Sequence, residues 1–257
     1  MYFVADSHGH LSDLRIFPQA DELVSEAKSQ KVKYFLQGGV DPEDWVRQQE
    51  LHRRHPEVLT CFGIHPMTLT QESDVDTLLD QLSRAIGAHR PSALGEIGLD
   101  GRSQFLPAKE NQIAAFEAQL EIAKVADLPV VLHLVRCHSD AIRILQVCGL
   151  PKRSGFVHGF NGSWEKANDF LDLGLRLSIG GAVTHPRNRD LREAVAKIPL
   201  DRLLIESDCP DQCVLGRQDL GRPVDVLQVA RVLAELRQKT IEEIVEASSR
   251  NLREVLF

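Results

Sequence analysis

Eight times along the 257 residues, a short β-branched or apolar run gives way to a helix-like segment. The runs are "YFVADSH", "KYFLQGGV", "VLTCFGIHP", "SALGEIGLD", "PVVLHLV", "SGFVHGF", "RLSIGGAVT" and "DRLLIESD". Strands that alternate with helices pair in parallel, because each return crossover carries a helix. Eight such units in about 250 residues is the size of a (β/α)8 barrel, although an open doubly wound sheet shares the alternation. A last helical stretch, "TIEEIVEASSRNLREVLF", lies beyond the eighth unit, and no low-complexity linker interrupts the chain. The expectation is an α/β fold, a (β/α)8 TIM barrel with an extra C-terminal helix, in a single domain over residues 1–257.

The polar residues favour the barrel. Chemistry in a (β/α)8 barrel sits at the C-terminal ends of the strands. The first run ends in His8 and His10, the third in His65, and the fourth carries Glu96. The fifth ends in His133, the sixth in His158, and the eighth in Glu206 and Asp208. The second and seventh end in "QGGV" and "GGAVT", where glycine allows close backbone approach. Residues i and i+2 of a strand face one side, roughly 6.6 Å apart, so His8 and His10 can share one ion.

Imidazoles and carboxylates are the donors that zinc and similar divalent ions accept. His8, His10, Glu96, His133, His158 and Asp208 are more ligands than one tetrahedral ion uses. Two ions bridged by a carboxylate fit better, and Glu96 lies between the two groups of histidines. Each residue alone has an ordinary explanation. A strand-end histidine is commonly a hydrogen-bonded structural residue, Glu96 could pair with an arginine, and Asp208 could cap a helix ahead of Pro210. Their coincidence at strand ends is what argues for a metal centre.

The formal net charge of -7 disfavours general attraction to a polyanion. It leaves room for a phosphodiester held by metal ions and a few arginines, for which Arg136, Arg187 and Arg222 are candidates. No apolar run reaches the roughly 18 residues of a membrane span, and the N-terminus lacks the basic-then-apolar pattern of a secretory signal. Five cysteines, with no C-x-x-C pair, read as reduced intracellular thiols. Cytoplasmic placement is expected, and nothing marks an obligate protein partner. "HRRH" at residues 52–55 is expected to close the second helix, where cations suit the dipole.

The segments "DSHGHL", "GIHP", "GEIGLD", "PVVLH", "VHGFNGSWEKANDFLDLG" and "IPLDRLLIESDCP" resemble the TatD family of metal-dependent hydrolases, within the amidohydrolase-like barrels. The resemblance runs over nearly the whole chain, and its last segment is the most specific. It implies a (β/α)8 barrel with two divalent ions (zinc, magnesium or manganese). It also implies phosphodiester hydrolysis, with DNase and 3′-to-5′ exonuclease activity among members. By it, His8, His10 and Asp208 hold a first ion, Glu96 bridges, and His133 and His158 hold a second. His65 and Glu206 match further polar positions of the site. The chain departs from the family after the fifth-strand histidine, where Leu134 and Val135 replace a hydroxyl residue and an arginine. Gly101 and Arg102 replace an aromatic pair, and "DQCVLGRQDLGRPVD" replaces a tyrosine and a basic segment.

The chemistry implied is attack by a water activated at a two-metal centre, with Asp208 as its base and Glu96 as the bridge. His65, Arg136, Arg187 and Arg222 would face the substrate, DNA ends among the possibilities. A rival reading keeps the metals and cleaves a cyclic amide, lactone or amidine. Barrels with H-x-H on the first strand often use a bridging lysine on the fourth strand for that, and Glu96 replaces it here. A non-catalytic, metal-stabilised binding module is the third reading.

Overall fold

The computed structural model describes residues 3–257. Its strands are β1 (Val4–Gly9), β2 (Val32–Gln37), β3 (Val58–Leu59), β4 (Cys61–Phe62), β5 (Ala93–Asp100), β6 (Val130–Val135), β7 (Gly155–Val157), β8 (Arg176–Ile179) and β9 (Leu203–Ile205). They lie in chain order, β1-β2-β3 and β4 through β9, and every pairing is parallel. Nine ladder segments fill eight barrel positions, because the third strand is cut at Thr60. Its two pieces each pair on one side only, β3 with β2 and β4 with β5. Beyond this cut the backbone of Gly39 bonds directly to β5: its N–H donates to Gly95 O (3.0 Å) and its carbonyl accepts from Glu96 N (2.9 Å).

The barrel closes between β9 and β1 through main-chain bonds just past the strand ends. Asp208 N donates to His8 O (3.0 Å) and His10 N to Cys209 O (2.7 Å). Buried Asp6 reinforces the seam by accepting from Ser207 N (2.8 Å) and Ser207 Oγ (2.6 Å).

Each unit returns by a helix: α1 (Ala20–Ser29), α2 (Pro42–Arg54), α3 (Val75–His89), α4 (Lys109–Ala126), α5 (His138–Cys148), α6 (Trp164–Asp172), α7 (Arg189–Lys197) and α8 (Val226–Arg237). Local chemistry sets their ends. The Asp41 carboxylate accepts from Asp44 N, with Pro42 in the first turn, so α2 starts there. His52, Arg53 and Arg54 occupy its last turn, where the helix dipole favours cations.

The extra helix α9 (Ile241–Leu256) decides which end of the barrel is open. A capping box starts it, with Thr240 accepting from Glu243 N and the Glu243 carboxylate accepting from Thr240 N. Ser248 Oγ and Ser249 Oγ then accept the N–H groups of Ile205 in β9 and Ala5 in β1, each at 3.0 Å. Asn251 Nδ2 donates to Leu200 O and Leu203 O, both at 2.8 Å. Leu252, Val255 and Leu256 pack on a buried layer of Ala5, Leu36, Cys61, Ala93, Val131, Phe156 and Leu204. With the N-terminal mouth plugged by apolar side chains, the buried polar groups gather at the other end. No described helix is long and apolar enough to cross a membrane.

Candidate metal centre

Two clusters of donors meet on one carboxylate. In the first, His8 Nε2 and His10 Nε2 lie 3.3 Å apart. Glu96 Oε1 is 3.5 Å from His8 Nε2 and 3.1 Å from His10 Nε2. Asp208 Oδ1 is 3.5 and 3.6 Å from the same two nitrogens. In the second, His133 Nδ1 and His158 Nε2 are 3.1 Å apart. They lie 3.4 and 2.6 Å from the other carboxylate oxygen, Glu96 Oε2. All of these residues are buried except His10, which is partly so.

These residues fit divalent metal. Two atoms about 2.0–2.1 Å from one zinc ion, at tetrahedral angles, are about 3.4 Å apart. The five measured edges of the first cluster bracket that value. Both oxygens of Glu96 are buried without a hydrogen-bond donor, an arrangement that costs stability unless a cation or proton answers it. Gly38, just past β2, supplies the room. A Cβ there would lie 2.5 Å from His8 Cε1 and 2.6 Å from both Glu96 Oε1 and His10 Cε1. At Gly39 a Cβ would strike Gly95 O, Cys61 O and Gly63 N. Gly38 is therefore a clearance for the cluster, and Gly39 one for the close approach of the neighbouring strand backbones.

The electrostatics show the same demand for positive charge. Burial opposes a charged His10, yet Glu96, and after it Asp208, outweigh the penalty and raise its pKa to about 9. Burial would raise the Glu96 carboxyl, but His158, His65, His8 and His10 hold it well below the usual carboxylate range. Asp208 moves the other way, raised by burial against the pull of the histidines.

A second layer orients the donors. Asp100 Oδ2 faces His133 Nε2 at 3.1 Å and is itself gripped by Arg102. Glu206 accepts from Gly159 N (2.6 Å) and lies 3.7 Å from His158 Nδ1. Although two residues from Asp208, Glu206 thus serves the second cluster's histidine rather than standing beside Asp208 over the first. Asp208 sits at φ +47°, a left-handed conformation that costs a non-glycine residue about 1–3 kcal/mol. Gln212 Nε2 donates to its Oδ2 at 2.7 Å. Asp100 ends the segment "GEIGLD", four residues after Glu96, so the sequence places it at a strand end, whereas nothing in the sequence marks Gln212.

His65 Nδ1 accepts from Met67 N (3.0 Å), leaving Nε2, 3.5 Å from Glu96 Oε2, to carry the proton. Burial lowers its pKa to about 4, so the ring is neutral at neutral pH. Arg136 and Arg187 are exposed at cavities beside the mouth and, among the described residues, have no ion-pair partner. Arg222 is diverted into the helix layer, 3.4 Å from Glu26 on α1 and 3.3 Å from Asp219. Cys209 is buried and Cys137 Sγ donates to Leu99 O (3.2 Å), so both are packing thiols.

A family profile described as TatD related DNase matches residues 5–256. The chain belongs to the TatD family of metal-dependent hydrolases. It is similar to the uncharacterized metal-dependent hydrolase YjjV of Escherichia coli strain K12, 35% identical over 250 residues that cover 96% of this chain and 95% of that protein. The crystal structure of YjjV, a TatD homolog, superposes with a TM-score of 0.92 at 33% identity, covering 98% of this chain and 97% of that one. The 3′-5′ ssDNA/RNA exonuclease TatD of Salmonella typhimurium is a more distant family relative, 27% identical over 261 residues that cover 96% and 98%. The barrel expected from the alternating pattern is the family's fold.

Proposed function

We propose that the chain hydrolyses phosphodiester bonds at a two-ion centre, working as one catalytic domain. His8, His10, Asp208 and Glu96 Oε1 would hold one ion, and His133, His158 and Glu96 Oε2 the other. The observation that carries this reading is the division of the Glu96 carboxylate, one oxygen toward each pair of histidines. Zinc, magnesium or manganese, when bound, supplies charge neutralisation at a phosphoryl oxygen and acidifies the attacking water.

The chain's own residues do the rest. Asp208, raised by burial and pinned by Gln212, takes the proton of the attacking water. His65, neutral with its proton on Nε2, donates to a phosphoryl oxygen. Arg136 and Arg187 meet flanking negative charge through charge-assisted bonds. Val135, which replaces the family's arginine, offers none. Long DNA therefore binds weakly, and short phosphodiesters or short nucleic-acid ends are the better substrates. The exonuclease name of the Salmonella relative agrees with the bond, and the net charge of -7 agrees with the preference for short substrates.

Metal stoichiometry, joined to turnover of bis(p-nitrophenyl) phosphate against a panel of cyclic amides and lactones, tests this reading. We expect up to two ions and metal-dependent release of nitrophenol. Amide or lactone turnover without diester turnover would overturn it. Efficient cleavage of long DNA with a steep salt dependence would overturn the preference for short substrates.

A further inference from the structure

A small cavity of about 200 Å³ opens where the third strand is cut, toward the strand-start end of the barrel and away from the metal centre. Three segments meet there: the last turn of α2, Thr60 in the cut, and the end of α3 with Ser92 just ahead of β5. Ser92 N donates to Thr60 O (2.9 Å), and His52 Nδ1 donates to Val58 O (2.7 Å), so the walls are fixed to the strand. Arg53, Arg90, His52 and His89 line the cavity, and no carboxylate does. Arg53 and Arg90 are exposed and, among the described residues, neither guanidinium has a carboxylate partner. Thr60 is only 8% exposed, yet its hydroxyl has no hydrogen-bond partner among the described residues.

The helix dipole accounts for part of this positive charge. The carbonyl ends of α2 and α3 carry roughly half a negative charge each. At the end of α2, Arg54 and His55 are already paired with Asp21. The unpaired guanidinia of Arg53 and Arg90 exceed the two helix ends by about one positive charge, before either histidine takes a proton. A buried hydroxyl without a partner asks for a polar occupant as well. The cavity has the room of about six or seven waters at ~30 Å³ each, which suits one phosphate group with part of its hydration. The geometry points to an oxyanion site, in which Arg53 and Arg90 hold a phosphate group that also accepts from the Thr60 hydroxyl. The group is a free phosphate ion or the end of a phosphomonoester whose organic part stays outside. This site shares no residue with the metal centre and does not depend on the phosphodiesterase reading.

The probe is inorganic phosphate, titrated by calorimetry into the metal-loaded full chain at constant ionic strength. Arg53→Gln and Arg90→Gln should each weaken one binding event about tenfold, the low end for a bond to a charged group because both side chains are exposed. The double variant should lose that event. Thr60→Val, which is nearly isosteric, should weaken the same event about tenfold. Phosphate held at the metal ions is the internal control, unchanged in every variant, and bis(p-nitrophenyl) phosphate should be turned over by the double arginine variant as by wild type. Methylphosphonate, a non-hydrolysable mimic of a monoester phosphate, separates the two sources. Binding as tight as that of phosphate assigns the site to a phosphomonoester end, and weaker binding assigns it to the free ion. Phosphate binding with the same stoichiometry and affinity in wild type and the double arginine variant would overturn the site. So would full displacement of phosphate by an equal concentration of chloride, since the cluster would then gather only counterions. Should Thr60→Val fail to fold, the two surface arginines still decide the outcome.

Discussion

Asp100 and His133 are joined by a 3.1 Å contact from Oδ2 to Nε2, which settles which nitrogen of the imidazole is bare. Burial would raise the Asp100 carboxyl, but bonds from His133 and Arg102 hold it below the usual range. An ionised Asp100 only accepts, so His133 Nε2 donates and Nδ1 keeps its lone pair toward Glu96. Carboxylates behind a metal-binding histidine typically contribute about 10–100-fold in metal affinity or activity. Asp100→Ala should lose that much affinity for a second ion and leave the first nearly unchanged. Metal titration by calorimetry checks it, and equal loss at both sites would show general damage instead.

Gln212 plays a comparable part for Asp208. Its side chain lies against Gly159 and Gly180, whose missing side chains leave the slot, and its Nε2 fixes Asp208 Oδ2. Gln212→Met keeps the length and removes the donor. We expect kcat on bis(p-nitrophenyl) phosphate to fall about tenfold, the size of one hydrogen bond to a charged group, with KM and Tm little changed. A fall in Tm that accounts for the lost activity would reduce Gln212 to packing.

Asp208→Asn should cut hydrolysis by about 10²–10⁴-fold while the barrel stays folded, because the amide cannot take a proton. Circular dichroism and single-substrate kinetics at saturating metal suffice. More than about a tenth of the wild-type rate, at unchanged metal content, would remove Asp208 as the base. Glu206→Gln should act differently, weakening retention of the second ion through His158.

Gly38→Ala places a methyl group among His8, His10 and Glu96. Misplacement of reacting groups by about 1 Å commonly costs about a hundredfold, and we expect at least that loss of activity. Residual activity with a shifted metal preference would still agree with the clearance; wild-type behaviour would not.

The metal-free protein should lose stability as pH rises. His10 titrates near 6.5 when unfolded and at about 9 in the fold, where Glu96 and Asp208 outweigh the cost of burial. The fold therefore binds the proton more tightly than the unfolded chain does. The stability this supplies is complete below pH 6.5 and is lost as pH climbs through about 9. His158, raised well above its ordinary value by Glu96 and Glu206 despite burial, acts in the same direction. Melting curves in chelator should show Tm declining between pH 6.5 and 9, and divalent metal should flatten that slope. A flat apo profile would show that the carboxylates are answered some other way.

Alternation of strand and helix is a local property, and so is a polar residue at a strand end. For that reason the eight-unit barrel, its additional helix and the candidates His8, His10, Glu96, His133, His158 and Asp208 were readable from sequence alone. The cut in the third strand was not, because it depends on Gly39 bonding past it to β5. Nor could periodicity show that Glu206, on the same strand run as Asp208, turns to Gly159 and His158, or that Gln212 holds Asp208. Arg222 looked like a substrate contact in sequence, yet it reaches Glu26, 196 positions away. These pairings exist only because barrel closure brings distant strand ends and loops together. A side chain's partner is chosen by that three-dimensional proximity, whereas its placement on a strand or helix is chosen by its neighbours in the chain.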